Sequence, residues 1–302
     1  MKIKFKSFLQ AIRHSFRKAI YAGAILLTFG CAQAQNLFVA NFTGGNITEI
    51  TPGGAQSTFA SGLFEPVGLA FNSAGDLFVA NYLDGNITEI TPGGVQSTFA
   101  SGLVHPFGLT FNNAGDLFVA SYEPGGNIYE FTPGGVQSTF ASGLSVPSGL
   151  AFNAAGDLFV GTVGNITEIM PGGVQSTFAS GLNGTFGLAF NSVGELFEAD
   201  YLSGHIYEFT PGGVQSTFAS GLSEPVGLAF NSAGNLFEGD TLSGNIYEFA
   251  PDGTRSTFAS GLAEPYGLAF QPVPEPSILA LVAAGATALL VRRKQNLSAR
   301  RF

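Results

Sequence analysis

The chain has 302 residues, of which 45% are hydrophobic, 13% aromatic and 11% charged, and its formal net charge is −9. Eleven of the 12 Lys and Arg residues lie before residue 20 or after residue 290, whereas residues 35–270 hold 20 of the 21 carboxylates and one Arg, a net charge of −19. This middle segment excludes nucleic-acid binding, because it has one cation to offer to phosphates, and its frequent Phe at low charge density argues against disorder.

Residues 1–34 have the three parts of a secretory signal peptide. Six basic residues precede an apolar run, and Ala32 and Ala34 place small side chains at −3 and −1 of a cut after Ala34. The alternatives are an uncleaved amphipathic helix and a lipoprotein anchored at Cys31. Removal of the segment by signal peptidase would leave a chain without cysteine, which excludes a disulfide scaffold and makes the protein insensitive to the redox state of its compartment.

Residues 35–271 repeat one pattern six times, with a period of 38 to 41 residues. Each copy has four short β-prone runs, which we name strands a to d: Gly-Leu-Ala-Phe, Asp-Leu-Phe-Val-Ala, Asn-Ile-Thr-Glu-Ile and Gln-Ser-Thr-Phe-Ala, with variants. Turn sequences of the type Asn-Ser-Ala-Gly-Asp join a to b, and Thr-Pro-Gly-Gly joins c to d. One repeat therefore predicts four antiparallel strands.

Four-stranded units at this period favour an all-β fold, a six-bladed β-propeller of four-stranded antiparallel blades. A β-solenoid with two coils per repeat is the alternative. The repeats begin with strand b near Asn36 and end with strand a near Phe270. In a ring, residues 266–271 would pair beside residues 36–41 and complete blade one, whereas in a solenoid they would form a stray edge. We therefore predict a propeller closed by the C-terminal strand, with one hydrophobic helix at each end of the precursor.

The second repeat carries residues 66–71 (Pro-Val-Gly-Leu-Ala-Phe), 75–81 (Gly-Asp-Leu-Phe-Val-Ala-Asn) and 85–87 (Gly-Asn-Ile). These runs resemble the NHL-repeat and gluconolactonase-like propellers, and the resemblance spans residues 36–271. It implies the architecture, since a propeller is a scaffold for many functions. The gluconolactonase-like members further imply one divalent metal on the ring axis, held by a Glu, an Asn and an Asp from different blades.

Strand b differs in two successive repeats, where Glu and Asp replace apolar or amide residues. Glu198 and Asp200 lie two residues apart and share one strand face, as do Glu238 and Asp240. No cofactor is required by the sequence, but these four carboxylates are candidate ligands for Ca²⁺ or another divalent cation. The alternative is that they lie solvated at wet strand ends.

The remaining variation between repeats predicts little chemistry. On the axis we expect the residues that end strand b in the other blades, namely Asn41, Asn81, Ser121 and Thr162. A Glu recurs in strand c of every blade, and its sixfold symmetry favours a structural role. His105 and His205 are expected at the surface, and the shortened fourth repeat (residues 161–164) is expected to reshape one rim loop only. We predict no catalytic residues, because nucleophile and Walker motifs are absent from the sequence.

The C-terminal residues 272–302 form a tripartite tail. Pro274-Glu275-Pro276 precedes an apolar run, and Arg292-Arg293-Lys294 follows it. We predict a short transmembrane helix over 277–291, whose apolar run of residues 278–291 would be about 21 Å long, less than the ~30 Å hydrocarbon core. The cations would act as a stop signal; a buried core helix is the alternative. The tail resembles the PEP-CTERM sorting signal of Gram-negative bacteria, which implies processing by exosortase, a membrane-embedded transpeptidase.

These features predict an exported propeller, anchored in the inner membrane by its tail until processing and then delivered to the cell surface or beyond. We expect a monomer that acts as a non-catalytic binding or structural module of the extracellular matrix, with exopolysaccharide or a matrix protein as partner. The alternative is a metal-dependent lactonase or hydrolase of the gluconolactonase-like type, with its site in the axial channel.

Overall fold

The computed structural model describes residues 35–273. The predicted signal peptide, the predicted sorting residues from Pro274 to Lys294 and the two predicted terminal helices lie outside this range. Within it, no helix is long and apolar enough to cross a membrane.

The described residues form a six-bladed β-propeller, as predicted, and each blade is a four-stranded antiparallel sheet. We number the strands in chain order and give them by blade. Blade one contains β1 (Leu37–Asn41), β2 (Asn46–Ile50), β3 (Gln56–Ser61) and β24 (Pro265–Phe270); blade two β4 (Pro66–Phe71), β5 (Leu77–Asn81), β6 (Asn86–Ile90) and β7 (Gln96–Ser101); blade three β8 (Pro106–Phe111), β9 (Leu117–Ser121), β10 (Pro124–Phe131) and β11 (Gln137–Ser145); blade four β12 (Leu150–Phe152), β13 (Leu158–Thr162), β14 (Asn165–Ile169) and β15 (Gln175–Ser180); blade five β16 (Thr185–Phe190), β17 (Leu196–Asp200), β18 (His205–Phe209) and β19 (Gln215–Ala219); blade six β20 (Pro225–Phe230), β21 (Leu236–Asp240), β22 (Asn245–Phe249) and β23 (Arg255–Ala259).

The last strand closes the ring. β24 pairs antiparallel with β1, with Leu37 opposite Phe270 and Val39 opposite Leu268. One further hydrogen bond runs from the Gln271 N–H to the Asn36 carbonyl at 3.0 Å. The predicted closure is confirmed. The first and the last strand of the repeats pair with each other, so neither is left without a partner.

Phenylalanine packing joins each blade to the next. In blade one, the ring of Phe38 on strand b meets Phe59 on strand d and Phe71 on the next blade's strand a, both edge-on, with ring centroids 4.9 and 5.0 Å apart. The same three-ring contact recurs at the five other junctions. Edge-to-face pairs add about 1 kcal/mol each beyond the area they bury, so these contacts explain why Phe recurs at three positions of the repeat.

Strand a lies innermost, and its glycine permits close packing around the axis. A side chain at Gly149 would collide with the carbonyl oxygen of Phe186 on the neighbouring inner strand, and the equivalent glycines of the other blades meet the same obstacle. Only glycine allows two backbones to approach so closely. The inner strands therefore form a narrow ring that leaves little open space along the axis.

Candidate functional site

One face of the propeller carries the turns from strand b to strand c and the connections from strand d to the next strand a. Tyrosines follow strand b in three blades, at Tyr82, Tyr122 and Tyr201, and Tyr266 lies in the inner strand of blade one. The rings contact one another or their neighbours; for example, Tyr122 stacks on Phe107 with ring centroids 4.9 Å apart. We call this side of the ring the tyrosine face.

Three aromatic side chains close the axis at the tyrosine face. Phe107, Phe186 and Tyr266 come from alternate blades, and the ring centroid of Phe107 lies 5.5 Å from that of Phe186 and 6.3 Å from that of Tyr266. The blades between them supply Val67, Ser148 and Val226 at the same position of the inner strand. This alternation of large and small side chains fills the ring, and sequence reasoning missed it although it is visible when the repeats are aligned.

The axial void is small and apolar. It measures about 80 Å³, and the inner strands line it with glycine, leucine and valine residues. Phe107, Phe186 and Tyr266, which we call the aromatic plug, also line it. The expectation that Asn41, Asn81, Ser121 and Thr162 lie on the axis is wrong, because strand a lies between strand b and the axis. Their side chains are buried inside the blades instead; the Asn41 amide, for example, donates to the Thr48 hydroxyl at 2.8 Å.

An axial divalent metal of the gluconolactonase-like type does not fit these residues. Such an ion needs several carboxylate, amide or carbonyl oxygens in a ring of ligands. The side chains that line the axial void carry no charge, and a void of this size has room for only a few waters. We therefore derive no chemistry from a metal at the axis.

Glu198 and Asp200 are both fully buried, which contradicts the idea that they are solvated at wet strand ends. The Asp200 carboxylate accepts backbone N–H bonds from Asn183 at 2.7 Å and from Ser203 at 3.0 Å, one on each oxygen. It therefore joins two loops of the tyrosine face. Neither oxygen of Glu198 has a hydrogen-bond partner among the described residues.

Blade six repeats this arrangement. The Asp240 carboxylate accepts the N–H groups of Ser223 at 2.7 Å and Ser243 at 3.1 Å, and both oxygens of Glu238 are buried without a partner among the described residues. Burial raises the pKa of Glu198 and of Glu238 well above the ordinary value, and the neighbouring aspartate adds to the rise in each case. Burial therefore favours the neutral, protonated form of both glutamates.

No group of three or more His, Cys, Asp or Glu residues that could hold a metal ion is found within residues 35–273. The two aspartates already use both oxygens to hold loop N–H groups, so the glutamates supply the only free carboxyl oxygens of the four. Cation binding by Glu198, Asp200, Glu238 and Asp240 stays a prediction.

Carboxylates surround the plug on the tyrosine face. Burial raises the pKa of Tyr266 to about 12, and Glu264 and Glu224 add to the effect. Burial and the neighbouring Glu224 also raise the pKa of Tyr201. Among residues 35–273 the single Lys or Arg is Arg255, which lies at the start of β23 and reaches the Gly221 carbonyl and the Tyr247 ring. The tyrosine face is thus aromatic and acidic.

The other candidates from the repeats have structural roles. Five of the six strand c glutamates accept a hydrogen bond within their own blade; for example, Glu49 accepts from the Asn36 amide at 2.6 Å and Glu208 from the Ser216 hydroxyl at 3.4 Å. His105 stacks on Tyr82 and is exposed, as expected, whereas His205 stacks on Tyr207 and its Nδ1 is buried. The shortened fourth repeat does more than reshape a rim loop, because a cavity of about 490 Å³ lies beside it.

No family model matches the sequence, and no curated protein is similar to it. Solved structures share the fold. A chain in a crystal structure of a nidogen/laminin complex superposes with a TM-score of 0.72 at 18% identity, over 80% of this chain and 99% of that chain. A virginiamycin B lyase from Staphylococcus aureus gives 0.61 at 16% identity, over 79% and 86%. A gluconolactonase from Xanthomonas campestris gives 0.62 at 18%, over 67% and 78%. Identities this low show the six-bladed architecture alone.

Proposed function

We propose that the protein is an exported β-propeller that acts as a non-catalytic binding module of the extracellular matrix, and that the tyrosine face is its binding surface. The observation that carries this proposal is the cluster of tyrosine and phenylalanine rings at the centre of that face, with glutamates next to it. Tyr and other aromatic residues are enriched where macromolecules bind, because they offer large contact areas with few rotatable bonds.

Exposed apolar side chains extend the aromatic centre outward. One or more come from the turns and connections of nearly every blade, and they are exposed by 43% to 73%: Phe64, Leu83, Val104, Val163, Leu202 and Leu242. Single exposed apolar residues are normal, but a set arranged around an aromatic cluster marks an interaction surface. The surrounding glutamates favour neutral or cationic partners and disfavour anionic ones.

The comparison structures include a complex between proteins and a gluconolactonase, which correspond to the binding module and the lactonase that the sequence predicts as alternatives. The nidogen/laminin neighbour belongs to a complex between proteins, and we propose the same general role, attachment to another macromolecule, for this chain. The lactonase alternative has less support, because the aromatic plug and the inner glycines leave the axial void apolar and about 80 Å³ in volume. Export and exosortase-type sorting are part of the proposal and rest on the motifs at the two ends of the chain.

Cosedimentation of the purified protein with isolated extracellular matrix tests the proposal. Leu83, Leu202 and Leu242 occupy one repeat position and are at least 61% exposed, so replacing all three with Ser leaves the core intact. We expect this variant to bind at least tenfold more weakly, since each lost apolar contact contributes about 1 kcal/mol.

The matched control replaces Val95, Val136 and Val214 with Ser. These residues follow the Thr-Pro-Gly-Gly turns at the opposite ends of the strands and are equally exposed, by 66% to 68%. The control variant is expected to bind like the unmodified protein. Equal binding by both triple variants would show that the tyrosine face is not the binding surface.

A further inference from the structure

The sixfold repeat is broken on the tyrosine face between blades four and five. The turn after β13 has two residues, Val163 and Gly164, where the turn after β5 has four. Val163 therefore stands where blade two has Tyr82. In the following connection, Gly184 and Thr185 stand where blade two has a glutamate and a proline.

These missing side chains open the cavity of about 490 Å³. Its volume falls within the range of about 300–1,000 Å³ that is typical of small-molecule sites. Clefts of about 690, 720 and 590 Å³ also lie between successive blades, but they are formed by equivalent a–b turns and strand surfaces on the opposite face and so follow from the repeat. The cavity between blades four and five depends on features that only this junction has.

Aromatic rings form the walls of the cavity. Tyr122, Phe186 and Tyr201 all line it. The centroid of the Phe186 ring lies 6.1 Å from that of Tyr122 at 30° and 5.1 Å from that of Tyr201 at 46°. These rings present faces and edges to a ligand from blades three and five, which flank blade four.

Buried hydroxyl groups form the inner end of the cavity. Ser148 donates to the Thr185 and Gly161 carbonyls, and Thr162 donates to the Asn165 carbonyl. Thr185 is 4% exposed, and its hydroxyl forms no hydrogen bond of normal length among the described residues, although it lies close enough to the Glu198 carboxyl to lower the pKa of that group. A buried hydroxyl without a full hydrogen bond is unfavourable, and a ligand hydroxyl that bonds to Thr185 removes this cost.

The lining has no charged side chain; its remaining members are aliphatic residues, glycines and Asn183. The buried carboxyl of Glu198 lies next to Thr185. Burial raises the pKa of Glu198, and the Thr185 hydroxyl offsets a part of this rise. The cavity thus selects a neutral ligand, one that has apolar ring faces and several hydroxyl groups.

We infer that this cavity binds one neutral pyranose unit of an extracellular polysaccharide. The inference rests on the proposed function and names the subsite and ligand class. The axial C–H bonds of a pyranose pack on Tyr201 and Tyr122, its hydroxyls exchange hydrogen bonds with Ser148, Thr162 and Thr185, and the open side of the cavity lets the polymer continue across the tyrosine face. Uronic acids are disfavoured by the surrounding glutamates.

Calorimetry of the purified protein with neutral hexasaccharides tests this inference, with β-1,3-glucan, β-1,4-glucan and α-mannan oligomers as probes and oligogalacturonate as the anionic control. The variant is Tyr201→Ala, and its matched control is Tyr247→Ala. Both tyrosines are partly buried, but Tyr247 lies in β22 of blade six and does not line the cavity. We expect Tyr201→Ala to weaken binding of a neutral hexasaccharide about tenfold, while Tyr247→Ala changes it less than twofold.

Two outcomes would overturn the inference and leave the proposed function standing. Equal losses in both variants would show that the sugar does not bind in the cavity. Failure of every neutral hexasaccharide, in a protein that still cosediments with matrix through the tyrosine face, would indicate a protein partner. Equal cosedimentation of the leucine and valine triple variants would overturn the proposed function itself.

Discussion

Replacing the two buried glutamates by the residue of the other blades is expected to stabilise the propeller. Four blades carry a fully buried Val at this position of strand b, and blades five and six carry Glu198 and Glu238, whose carboxyl oxygens have no hydrogen-bond partner among the described residues. Val has a volume similar to that of Glu. Removing a buried polar group without a partner recovers about 1–3 kcal/mol, so the double variant Glu198→Val, Glu238→Val should gain about 4 kcal/mol near pH 4 and more than that at pH 7.

The gain is expected to depend on pH. The folded-state pKa of each glutamate is raised, so below the unfolded pKa of about 4.3 the residue is protonated in both states and costs only its polar burial. Above that pH the unfolded chain loses the proton and the folded protein keeps it, which lowers the stability of the unmodified protein by about 1.4 kcal/mol per pH unit and residue until the folded pKa is passed. The variant lacks this decline.

Urea unfolding followed by circular dichroism between pH 4 and pH 8 measures both effects. The isosteric double variant Glu198→Gln, Glu238→Gln is the control, since it removes the pH-dependent decline and keeps the polar burial. A second control, Asp200→Asn, should destabilise by about 2 kcal/mol, because its carboxylate holds two loop N–H groups. A double Val variant that is less stable than the unmodified protein at pH 7, or that keeps the same pH dependence, would refute the reasoning.

Three further predictions concern other parts of the molecule. Gly149→Ala is expected to destabilise by about 3 kcal/mol in urea unfolding, because its side chain meets the Phe186 carbonyl, whereas Gly53→Ala, with no atom within 4 Å, changes stability by less than ~0.5 kcal/mol; equal effects would contradict the packed inner ring. If Glu198, Asp200, Glu238 and Asp240 bind Ca²⁺, calorimetry should show binding that is lost in the Glu198→Ala, Asp240→Ala double variant, and an unchanged isotherm rejects these ligands. Intact-mass analysis of the exported protein is expected to show a chain that starts at Gln35 and ends near residues 274–276, and an uncut tail would contradict exosortase processing.

The architecture could be predicted because it depends on features that recur six times. The four β-prone runs and the turn sequences of each repeat are local features, and they determine the four-stranded blades. The closure by β24 follows because the repeats begin with strand b and end with strand a. Phe38 and its equivalents are also readable as core residues, although their partners across blade junctions are visible only in three dimensions.

The site was harder to predict, because a strand's alternation shows which residues share a face but not what covers that face. Glu198 looked like a solvated or metal-binding residue, yet strand a and the neighbouring blade enclose it completely. The same covering strand removes Asn41 and its equivalents from the axis. The cavity at Thr185 arises from a deletion in one blade and a substitution in the next, so its shape follows from their juxtaposition across a junction.

Hydrogen–deuterium exchange of the purified protein, free and bound to isolated matrix, tests the central claim most directly. The account predicts slower exchange on binding in the turns and connections of the tyrosine face, above all in residues 82–85, 163–164, 183–186 and 201–204. The Thr-Pro-Gly-Gly turns at the other ends of the strands should exchange at unchanged rates. Protection confined to those turns, with the tyrosine face unaffected, would contradict the account.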